Sequence, residues 1–454
     1  MLQKNDVVTV TAEGYTAEGN AVCRVDGFVL FVPGMLRGEQ ARLQLLKVKK
    51  NYGYGKIKEL TIPSPQRVAV ECESYPSCGG CHLRHMSYEE EMELKRQVVA
   101  DAFQRIGGLE IPVHPVEPSP KLTHYRNKVQ LPVGRDSTGK AAVGFYAARS
   151  HRLVPCRGCL LQDCRTDQAA DALLAYMAQA GVFPYDEKEH RGVVRHLYLR
   201  FSSAYEECMA CVVTNSEEKL PDAELLCRLL TQALGGKVTV VQNCNPKRTN
   251  VVLGEKMIFL QGDGVIRDRL CGLQFTISPH SFFQVNHSQT ERLYAKALEL
   301  SGVTERDTVL DLYCGIGTMT LLFAQAAKRT IGVEIVPSAI ENARENARKN
   351  GISNVEFFCG DAGRAAAQIT EKIDLLVVDP PRSGCDDTLL AAVWKMAPER
   401  IIYISCNPAT LARDVQSFSQ FGYHCREAFP FDMFPRTGHV ETVVLLSKGG
   451  KDEI

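Results

Sequence analysis

One cysteine of this chain stands where a strand-like run gives way to a helix-like run. Cys406 follows the apolar residues RIIYIS and precedes NPATLARD. A thiol at the amino end of a helix lies near the positive end of the helix dipole, which favours the thiolate. A cysteine at the end of a strand is more often structural, but this one shares its sheet edge with other reactive groups. The pattern therefore predicts that Cys406 is a nucleophile with a lowered pKa.

A proton acceptor is expected in GHVETVV, at the start of the last strand-like run. Both His439 and Glu441 could accept a proton from a reacting carbon. His439 is better interpreted as a residue that packs or bonds to the backbone. Glu441 is therefore the predicted general base.

A glycine loop follows the first strand of the last third of the chain. DLYCGIG provides Gly315 and Gly317, which let the backbone approach a ligand, and the next strand ends in Glu334, which could bind ribose hydroxyls. A dinucleotide site looks similar, but its third glycine is replaced here by Thr320. S-adenosylmethionine (SAM), which has no pyrophosphate, is therefore favoured over a dinucleotide, and a tight turn without a ligand is the alternative.

A further acid follows the fourth strand, in Asp379-Pro-Pro-Arg382. The two prolines make a rigid turn, because proline fixes φ and donates no hydrogen bond. Asp379 could contact the methionine end of SAM or the imide edge of a base. Methyltransferases that modify exocyclic amines have an aromatic residue where Arg382 stands, so Arg382 indicates a different acceptor atom.

These residues lie at the ends of strand-like runs that alternate with helical ones. The runs are TVLDLY, RTIGVEI, NVEFFCG, IDLLVVDPP and RIIYISCN. Such alternation predicts an α/β fold with a doubly wound parallel sheet, which binds ligands at the carboxyl ends of its strands. We assign this catalytic domain to residues 281–454.

Two other domains are predicted before it. Residues 1–60 alternate in period two between glycine turns, which predicts a small barrel of the OB type. Tyr52 and Tyr54 lie among its lysines, and such a surface either binds single-stranded nucleic acid or is simply solvated. Residues 61–280 begin with the linker TIPSPQ and a helix over about 88–105, and then form a mainly-β central domain with one helix near 166–180.

The central region is rich in cysteine, within a chain that has 17. Cys72-x5-Cys78-x2-Cys81 supplies three closely spaced thiols, and a fourth is needed for a metal site. HRLVPCRGCLLQDC offers three candidates, which are Cys156, Cys159 and Cys164. Four thiolates suit zinc and a 4Fe–4S cluster equally well on spacing alone.

Composition sets further limits. No apolar window is long enough to span a bilayer and the N-terminus carries no signal peptide, so we expect a cytoplasmic protein without a membrane partner. The formal net charge is zero, which neither favours nor excludes nucleic acid, because the distribution of basic groups decides.

Five sequence blocks together resemble one known family. DLYCGIGT, GVEIVPSAIENARENA, DPPRSG, ISCNPATLARD and GHVETVVLL look like the signature blocks of the RNA uracil-5-methyltransferases. Residues 1–60 resemble the TRAM domain that precedes the ribosomal-RNA branch, whose members are iron–sulfur proteins. The resemblance covers nearly the whole chain and implies a class I SAM-dependent methyltransferase fold.

The resemblance implies methylation of carbon 5 of a uridine in RNA, most readily 23S rRNA. Carbon 5 is a poor nucleophile until a thiolate adds to carbon 6, so Cys406 would add there and Glu441 would take the carbon 5 proton. The target uridine should lie in a loop or be flipped out, where Phe282 could stack on it. Beside Gly315 of the loop, the implied SAM contacts are Gln284, Tyr313, Glu334 and Asp379.

The resemblance also favours a 4Fe–4S cluster over zinc. In similar proteins the fourth ligand precedes two apolar residues and a glutamine, as Cys159 does here. The implied ligands are Cys72, Cys78, Cys81 and Cys159. Cys156 departs from the family pattern.

Three other functions compete with this interpretation. The same chemistry could act on tRNA. The chain could be an RNA-binding assembly factor without activity, or a redox enzyme that uses a dinucleotide and the cluster. A monomer is assumed.

Overall fold

The computed structural model describes residues 2–449. They form a closed barrel, a seven-stranded central sheet, a two-stranded hairpin and a second seven-stranded sheet. In this part of the chain no helix has both the length and the apolar character needed to cross a membrane.

The N-terminal barrel closes in the order β1-β2-β3-β5-β4. Its strands are β1 (Val7–Tyr15), β2 (Ala21–Val25), β3 (Phe28–Val32), β4 (Gln40–Val48) and β5 (Tyr52–Ile62). Alternate apolar side chains such as Cys23, Leu30 and Leu43 fill its interior, as the period of two requires. The predicted barrel is confirmed, although β5 runs two residues into the segment predicted as a linker.

Helix α1 (Tyr88–Ala102) begins at Ser87, whose hydroxyl accepts a hydrogen bond from Glu90 N at 3.2 Å. A π-helical turn, Phe103–Gly107, continues it where the sequence predicts α-helix to about residue 105. Val99 and Phe103 pack into the core of the C-terminal sheet. This helix from the predicted central domain therefore helps to build the catalytic core, and the predicted boundaries after residues 60 and 280 stay predictions.

The central sheet has the order β12-β11-β10-β9-β6-β7-β8. Its elements are β6 (Lys128–Arg135), β7 (Ala141–Tyr146), β8 (Leu153–Pro155), α2 (Arg165–Gln179), β9 (Val194–Phe201), β10 (Glu207–Thr214), α3 (Ala223–Leu234), β11 (Lys237–Cys244) and β12 (Lys256–Gln261). The predicted hairpin β9–β10 and helix α2 are confirmed. Helix α3 was not predicted; β10 and β11 are parallel, so the chain needs a crossover, and α3 supplies it.

The C-terminal sheet has the order β17-β16-β15-β18-β19-β21-β20, and the hairpin β13–β14 packs beside it. The elements are β13 (Ile266–Leu270), β14 (Leu273–Ile277), α4 (His287–Ser301), β15 (Thr308–Leu312), α5 (Thr318–Ala324), β16 (Arg329–Glu334), α6 (Pro337–Lys349), β17 (Val355–Cys359), α7 (Ala362–Gln368), β18 (Leu375–Val378), α8 (Asp387–Met396), β19 (Arg400–Ser405), α9 (Pro408–Gln420), β20 (Tyr423–Phe431) and β21 (Glu441–Lys448).

The five strand-like runs predicted for this sheet are its five parallel strands, β15 to β19. Apolar clusters cover both faces, which is why these runs are continuously apolar. The predicted doubly wound sheet is confirmed, and one further strand departs from the parallel arrangement, since β21 lies antiparallel between β19 and β20.

Candidate active site

The antiparallel pairing of β19 with β21 brings the two candidate catalytic residues together. Ser405 pairs with Thr442. One step further along the same register, Cys406 lies opposite Glu441. Cys406 is partly buried and Glu441 is buried. A sulfur and a carboxyl group therefore face the same end of the sheet at adjacent positions.

The thiol pKa differs from the sequence prediction. Burial raises the pKa of Cys406, the carboxyl groups of Glu441 and Asp379 add to this rise, and Arg382 opposes it. The first turn of α9 has few free backbone N–H groups that could stabilise a thiolate. Pro408 has no N–H, and Ala409 N donates to the side chain of Asn407 at 3.1 Å. The expected lowering of this pKa is therefore wrong.

The carboxyl groups at the site are also perturbed. Burial raises the pKa of Glu441 to about 8, with a further rise from Asp379 and an opposing effect of Arg382. Burial raises the pKa of Asp379 to about 7. The competing base His439 has a pKa lowered to about 4 by burial and by cations that include Arg382. Buried acids in excess over cations favour a cationic ligand.

Arg382 is the cation of this group, a role that its sequence position did not reveal. Its side chain bonds to the Cys406 thiol and lowers the pKa of that thiol, and its charge also acts on Glu441. Its carbonyl accepts hydrogen bonds from Asn407 Nδ2 at 2.9 Å and Thr410 Oγ1 at 3.3 Å. The turn after β18 is thereby fixed to the start of α9.

The glycine loop lies at the carboxyl end of β15. Tyr313 and Gly315 have left-handed backbones, with φ of 69° and 55°. Gly315 N donates to Glu334 Oε2 at 3.2 Å, and Val336 N donates to Glu334 Oε1 at 2.9 Å. These bonds orient the Glu334 carboxylate beside the loop. Ile335, 63% exposed, offers an apolar surface next to it.

A buried acid underlies the loop and was not predicted as a site residue. Asp311 accepts a hydrogen bond from Thr320 Oγ1 at 2.6 Å, and burial raises its pKa to about 7. Thr320 is the residue that replaces the third glycine of a dinucleotide motif. Asp311 is on β15 and Thr320 is on α5, the next element of the chain, so the sequence could have suggested this hydrogen bond.

Gln284 lies in the segment that leads into α4. Its carbonyl accepts a hydrogen bond from Asn127 Nδ2 at 2.9 Å. Helix α4 in turn approaches the glycine loop, because the Tyr294 hydroxyl lies 3.1 Å from Thr318 Oγ1 at the start of α5. Because Gln284 lies just before α4, the contact between α4 and α5 places the Gln284 segment on the same side as the glycine loop.

Phe282 is 60% exposed and lies beside cations of the central domain. Lys128 Nζ lies 5.8 Å from the centre of its ring. The pKa of Lys128 is lowered to about 8 by burial and by the neighbouring charges of Arg200 and Arg126. An exposed ring next to clustered cations suits a base and its phosphate.

The candidate metal ligands line one cavity of about 110 Å³. The structure brings together all the cysteines proposed as ligands and one more, namely Cys72, Cys78, Cys81, Cys156 and Cys159. The pKa of Cys159 is lowered to about 6 by a hydrogen bond with Cys156 and by backbone amides. Within residues 2–449, no three acid, histidine or cysteine side chains are close enough to hold a single metal ion.

Two arginines of the same cavity each have one buried nitrogen without a partner among the described residues. Arg84 and Arg126 line it, and the Nε atom of each is buried without a hydrogen-bond partner among the protein atoms of the described chain. Gln162 Oε1 is likewise buried and has no hydrogen-bond partner within the described chain. Buried donors normally find acceptors, so a cavity with five thiols and two arginines suits an anionic group larger than one ion.

The barrel carries an aromatic group beside its lysines. The rings of Phe31, Tyr52 and Tyr54 lie 5.7 to 5.8 Å apart. Lys47 pairs with Tyr54 across the β4–β5 ladder, and Lys49 N donates to Tyr52 O at 2.8 Å. The sequence prediction named both tyrosines but not Phe31, which reaches them through the parallel pairing of β3 with β5.

Comparison with known proteins agrees with this architecture. The sequence profile of the tRNA (Uracil-5-)-methyltransferase family matches residues 222–449, and that of the TRAM domain matches residues 2–58. An uncharacterized RNA methyltransferase of Clostridium tetani is 43% identical over 452 residues, which are 99% of this chain and 98% of the relative. A second, from Halalkalibacterium halodurans, is 43% identical over 450 residues, 98% of each chain.

A solved structure is also similar over its full length. The tRNA (uracil-54, C5)-methyltransferase of Pyrococcus abyssi, in complex with S-adenosyl-L-homocysteine, gives a TM-score of 0.76 at 28% identity and covers 97% of this chain and 100% of that one. The sheet, its antiparallel strand and the glycine loop define a methyltransferase of class I. The chain belongs to the tRNA (uracil-5-)-methyltransferase family and carries an N-terminal TRAM domain. The resemblance predicted from the sequence blocks is confirmed.

Proposed function

We propose that this protein transfers a methyl group from SAM to carbon 5 of a uridine in RNA. The observation that supports this most is the position of Cys406 opposite Glu441, with Asp379 and Arg382 beside them. A nucleophile and a base at adjacent positions suit a reaction in which one group adds to a ring and the other removes a proton from the neighbouring carbon.

The reaction follows from the two side chains. The Cys406 thiolate, stabilised by Arg382, adds to carbon 6, and the ring electrons collect at carbon 5. Bound SAM would supply an electrophilic methyl group to carbon 5, with cleavage of its sulfur–methyl bond and departure of S-adenosyl-L-homocysteine. Glu441 then accepts the carbon 5 proton, and the bond from carbon 6 to Cys406 breaks as the ring double bond returns. Glu441 must be ionised for this step, and its raised pKa makes it a stronger base than an ordinary carboxylate.

The proposed SAM site extends from the glycine loop to β18. Tyr313 and Gly315 form the loop, Glu334 would bind the ribose, and Asp379 would face the methionine end. Gln284 approaches from the α4 side. SAM carries a sulfonium and an ammonium, so a site rich in buried carboxyl groups suits its charge.

Labelled SAM and unmodified RNA test this function directly. We expect 5-methyluridine from the wild-type protein and none from Cys406→Ala. Glu441→Gln should form a methylated covalent protein–RNA adduct that resolves slowly, because the proton on carbon 5 has no acceptor. Cys164→Ala, which removes an exposed thiol that does not line the cysteine cavity, is the control. Methylation at another atom, or full activity of Cys406→Ala, would refute the proposal.

For the substrate we propose 23S rRNA, on the basis of the TRAM domain together with the cysteine set. The similarity to a tRNA (uracil-54, C5)-methyltransferase favours tRNA as the second candidate. Both RNAs, taken from a strain without the gene, should be compared at equal concentration. Methylation of tRNA alone would overturn the rRNA assignment.

We further propose that Cys72, Cys78, Cys81 and Cys159 hold a 4Fe–4S cluster. The cavity, its five cysteines and the unpartnered nitrogens of two arginines support this, since a cluster with four thiolates is an anion. Methyl transfer needs no electron, so the cluster would be structural or would position RNA. Anaerobic purification should give iron and sulfide in equal amounts, whereas one zinc without iron would contradict the proposal.

The competing hypotheses have separate outcomes. An inactive assembly factor would bind RNA without turnover. A redox enzyme would be stabilised against heat by NADH and not by SAM. The monomeric state and the cytoplasmic location stay predictions.

A further inference from the structure

The segment that leads into Glu441 is held by groups from outside the catalytic sheet. Residues 432–440, called here the base loop, connect β20 to β21. Asp432 receives hydrogen bonds from Lys95 Nζ at 2.6 Å and from the Tyr88 hydroxyl at 2.7 Å, and Lys95 also contacts Phe434 O at 3.3 Å. Lys95 is fully buried, so this end of the loop is fixed to α1 in a setting of low dielectric.

Arg436 is the point where the base loop meets the cysteine-rich segment. It has a left-handed backbone with φ of 70°. Its carbonyl accepts hydrogen bonds from His82 N at 3.1 Å and from Leu83 N at 3.2 Å, and its own N–H donates to Glu91 at 2.7 Å. Cys81, which lines the cysteine cavity, directly precedes His82.

Two further groups support the base loop. The Tyr125 hydroxyl donates to Pro435 O at 3.1 Å. A side chain at Gly438 would meet the carbonyl of Ala17, in the turn between β1 and β2, at 3.1 Å, so the barrel also touches the loop. The loop is thus the point where the barrel, α1 and the cysteine segment contact the strand that carries Glu441.

We propose that residues 81–83 position Glu441 and that the cysteine cavity controls this positioning. When Cys81 is fixed by a bound cluster, the adjacent amides hold Arg436 O and with it the base loop. Residues 71–82 have no regular secondary structure and are exposed or half-buried, whereas Leu83 is buried. Without the cluster residues 71–82 can move, and the loop loses the hydrogen bond from His82 N first. The inference rests on the proposed function.

This coupling predicts which reaction step fails when the cluster is lost. Cys406 follows β19, and Tyr313, Glu334 and Asp379 follow β15, β16 and β18. The base loop touches the proposed SAM site only at the Gln284 side, among the described hydrogen bonds, where Asn286 Nδ2 donates to Met433 O at 3.1 Å, at the start of the loop and not at Arg436. Addition and methyl transfer should therefore persist, whereas proton removal by Glu441 should slow. The expected species is a methylated protein–RNA adduct.

The test compares cluster-loaded protein with protein freed of iron by a chelator and an oxidant. We expect the Kd for SAM to stay within about twofold, while the share of label in the covalent adduct rises by about fivefold or more. Hydrogen–deuterium exchange should speed up in residues 432–440 and stay unchanged in β15. An unchanged adduct share with unchanged exchange would overturn the inference, and so would an equal loss of SAM binding and turnover.

A variant tests the loop with the cluster in place. Tyr125→Phe removes the bond to Pro435 O and should raise the adduct share. Tyr176→Phe is the matched control, because its buried hydroxyl donates to Pro221 O at 2.6 Å in the central domain. Equal effects of the two variants would contradict the inference. If loaded wild-type protein transferred no methyl group at all, the proposed function would fail instead.

Discussion

Cys406, Glu441 and Asp379 lie close enough for their charges to interact. Burial raises the pKa of all three groups, and repulsion by neighbouring carboxyl groups adds to the rise at Cys406 and Glu441. Arg382 is the group that opposes this effect at Cys406 and Glu441. The free site is therefore electrostatically strained in a way that a cationic ligand would relieve.

Replacing the base should stabilise the fold at high pH. The folded pKa of Glu441 is about 8, above its ordinary value, so its ionisation destabilises the native state progressively as pH rises toward 8. We expect Glu441→Gln to be more stable than wild type by about 2–4 kcal/mol at pH 8.5 and nearly equal at pH 5. Urea unfolding followed by fluorescence of Trp394, the single tryptophan, measures this in the catalytic domain.

The control for that measurement is Glu341→Gln, which changes an exposed carboxylate on α6. Its unfolding free energy should differ from wild type by the same amount at both pH values. A Glu441→Gln variant less stable than wild type at pH 8.5 would contradict the assignment of a strained buried carboxyl.

SAM binding should release protons near neutral pH. Asp379 has a pKa of about 7 in the free protein, and a nearby cation favours its ionised form. Affinity should therefore rise between pH 6 and pH 7, by about tenfold at most for one group. Calorimetry in two buffers of different ionisation enthalpy measures the proton release. Proton uptake on binding would exclude this role for Asp379.

At the level of elements, β16 must approach its neighbours closely to place Glu334. A side chain on Gly332 would lie 2.7 Å from the Phe357 ring and 3.0 Å from Cys314 Sγ. We expect Gly332→Ala to destabilise the protein by about 1–3 kcal/mol and to weaken SAM binding, because the strand must shift. Thermal unfolding and SAM titration measure the two effects.

Gly360→Ala is the matched control, since no atom lies within 4 Å of the position that its Cβ would take. It should change neither stability nor SAM affinity by much. If both variants behaved alike, close packing of β16 would not be what positions Glu334.

The strands and helices show which parts of the fold and site could be predicted from the sequence. The parallel strands were predictable because each is a continuous apolar run bounded by turn residues, and their ends located Glu334, Asp379 and Cys406. The position of β21 between β19 and β20 was not predictable, because strand order depends on long-range pairing and local sequence patterns do not contain it. Arg382 was noted as a sign of a different acceptor atom, but its role beside Cys406 was not predicted for the same reason, because the two residues meet only when β18 and α9 pack together. The thiol pKa was mispredicted because dipole arguments ignored burial and the neighbouring acids.

On the scale of the molecule, the barrel carries a basic and aromatic surface, which we expect to bind RNA. Lys47, Lys49 and Lys56 are exposed near the rings of Phe31, Tyr52 and Tyr54. Changing these three lysines to glutamine should weaken RNA binding and lower the slope of log K against log salt by about 2–3. Filter binding at several salt concentrations measures the slope.

The matching control changes three exposed lysines outside the barrel, Lys188, Lys219 and Lys395, to glutamine. Both triple variants have the same net charge, so a general effect of charge would act on them equally. If the slope of log K against log salt fell equally in the two variants, the barrel would not be part of the RNA-binding surface.

The insertion of β21 between β19 and β20 has a consequence for biosynthesis. Ribosomes make β19, α9 and β20 before β21, so a growing chain carries its thiol before it carries the acid that completes the pair. A chain halted at that stage also lacks the strand that lines the thiol's edge of the sheet. We therefore expect the proposed chemistry to begin only after β21 has paired with β19 and β20.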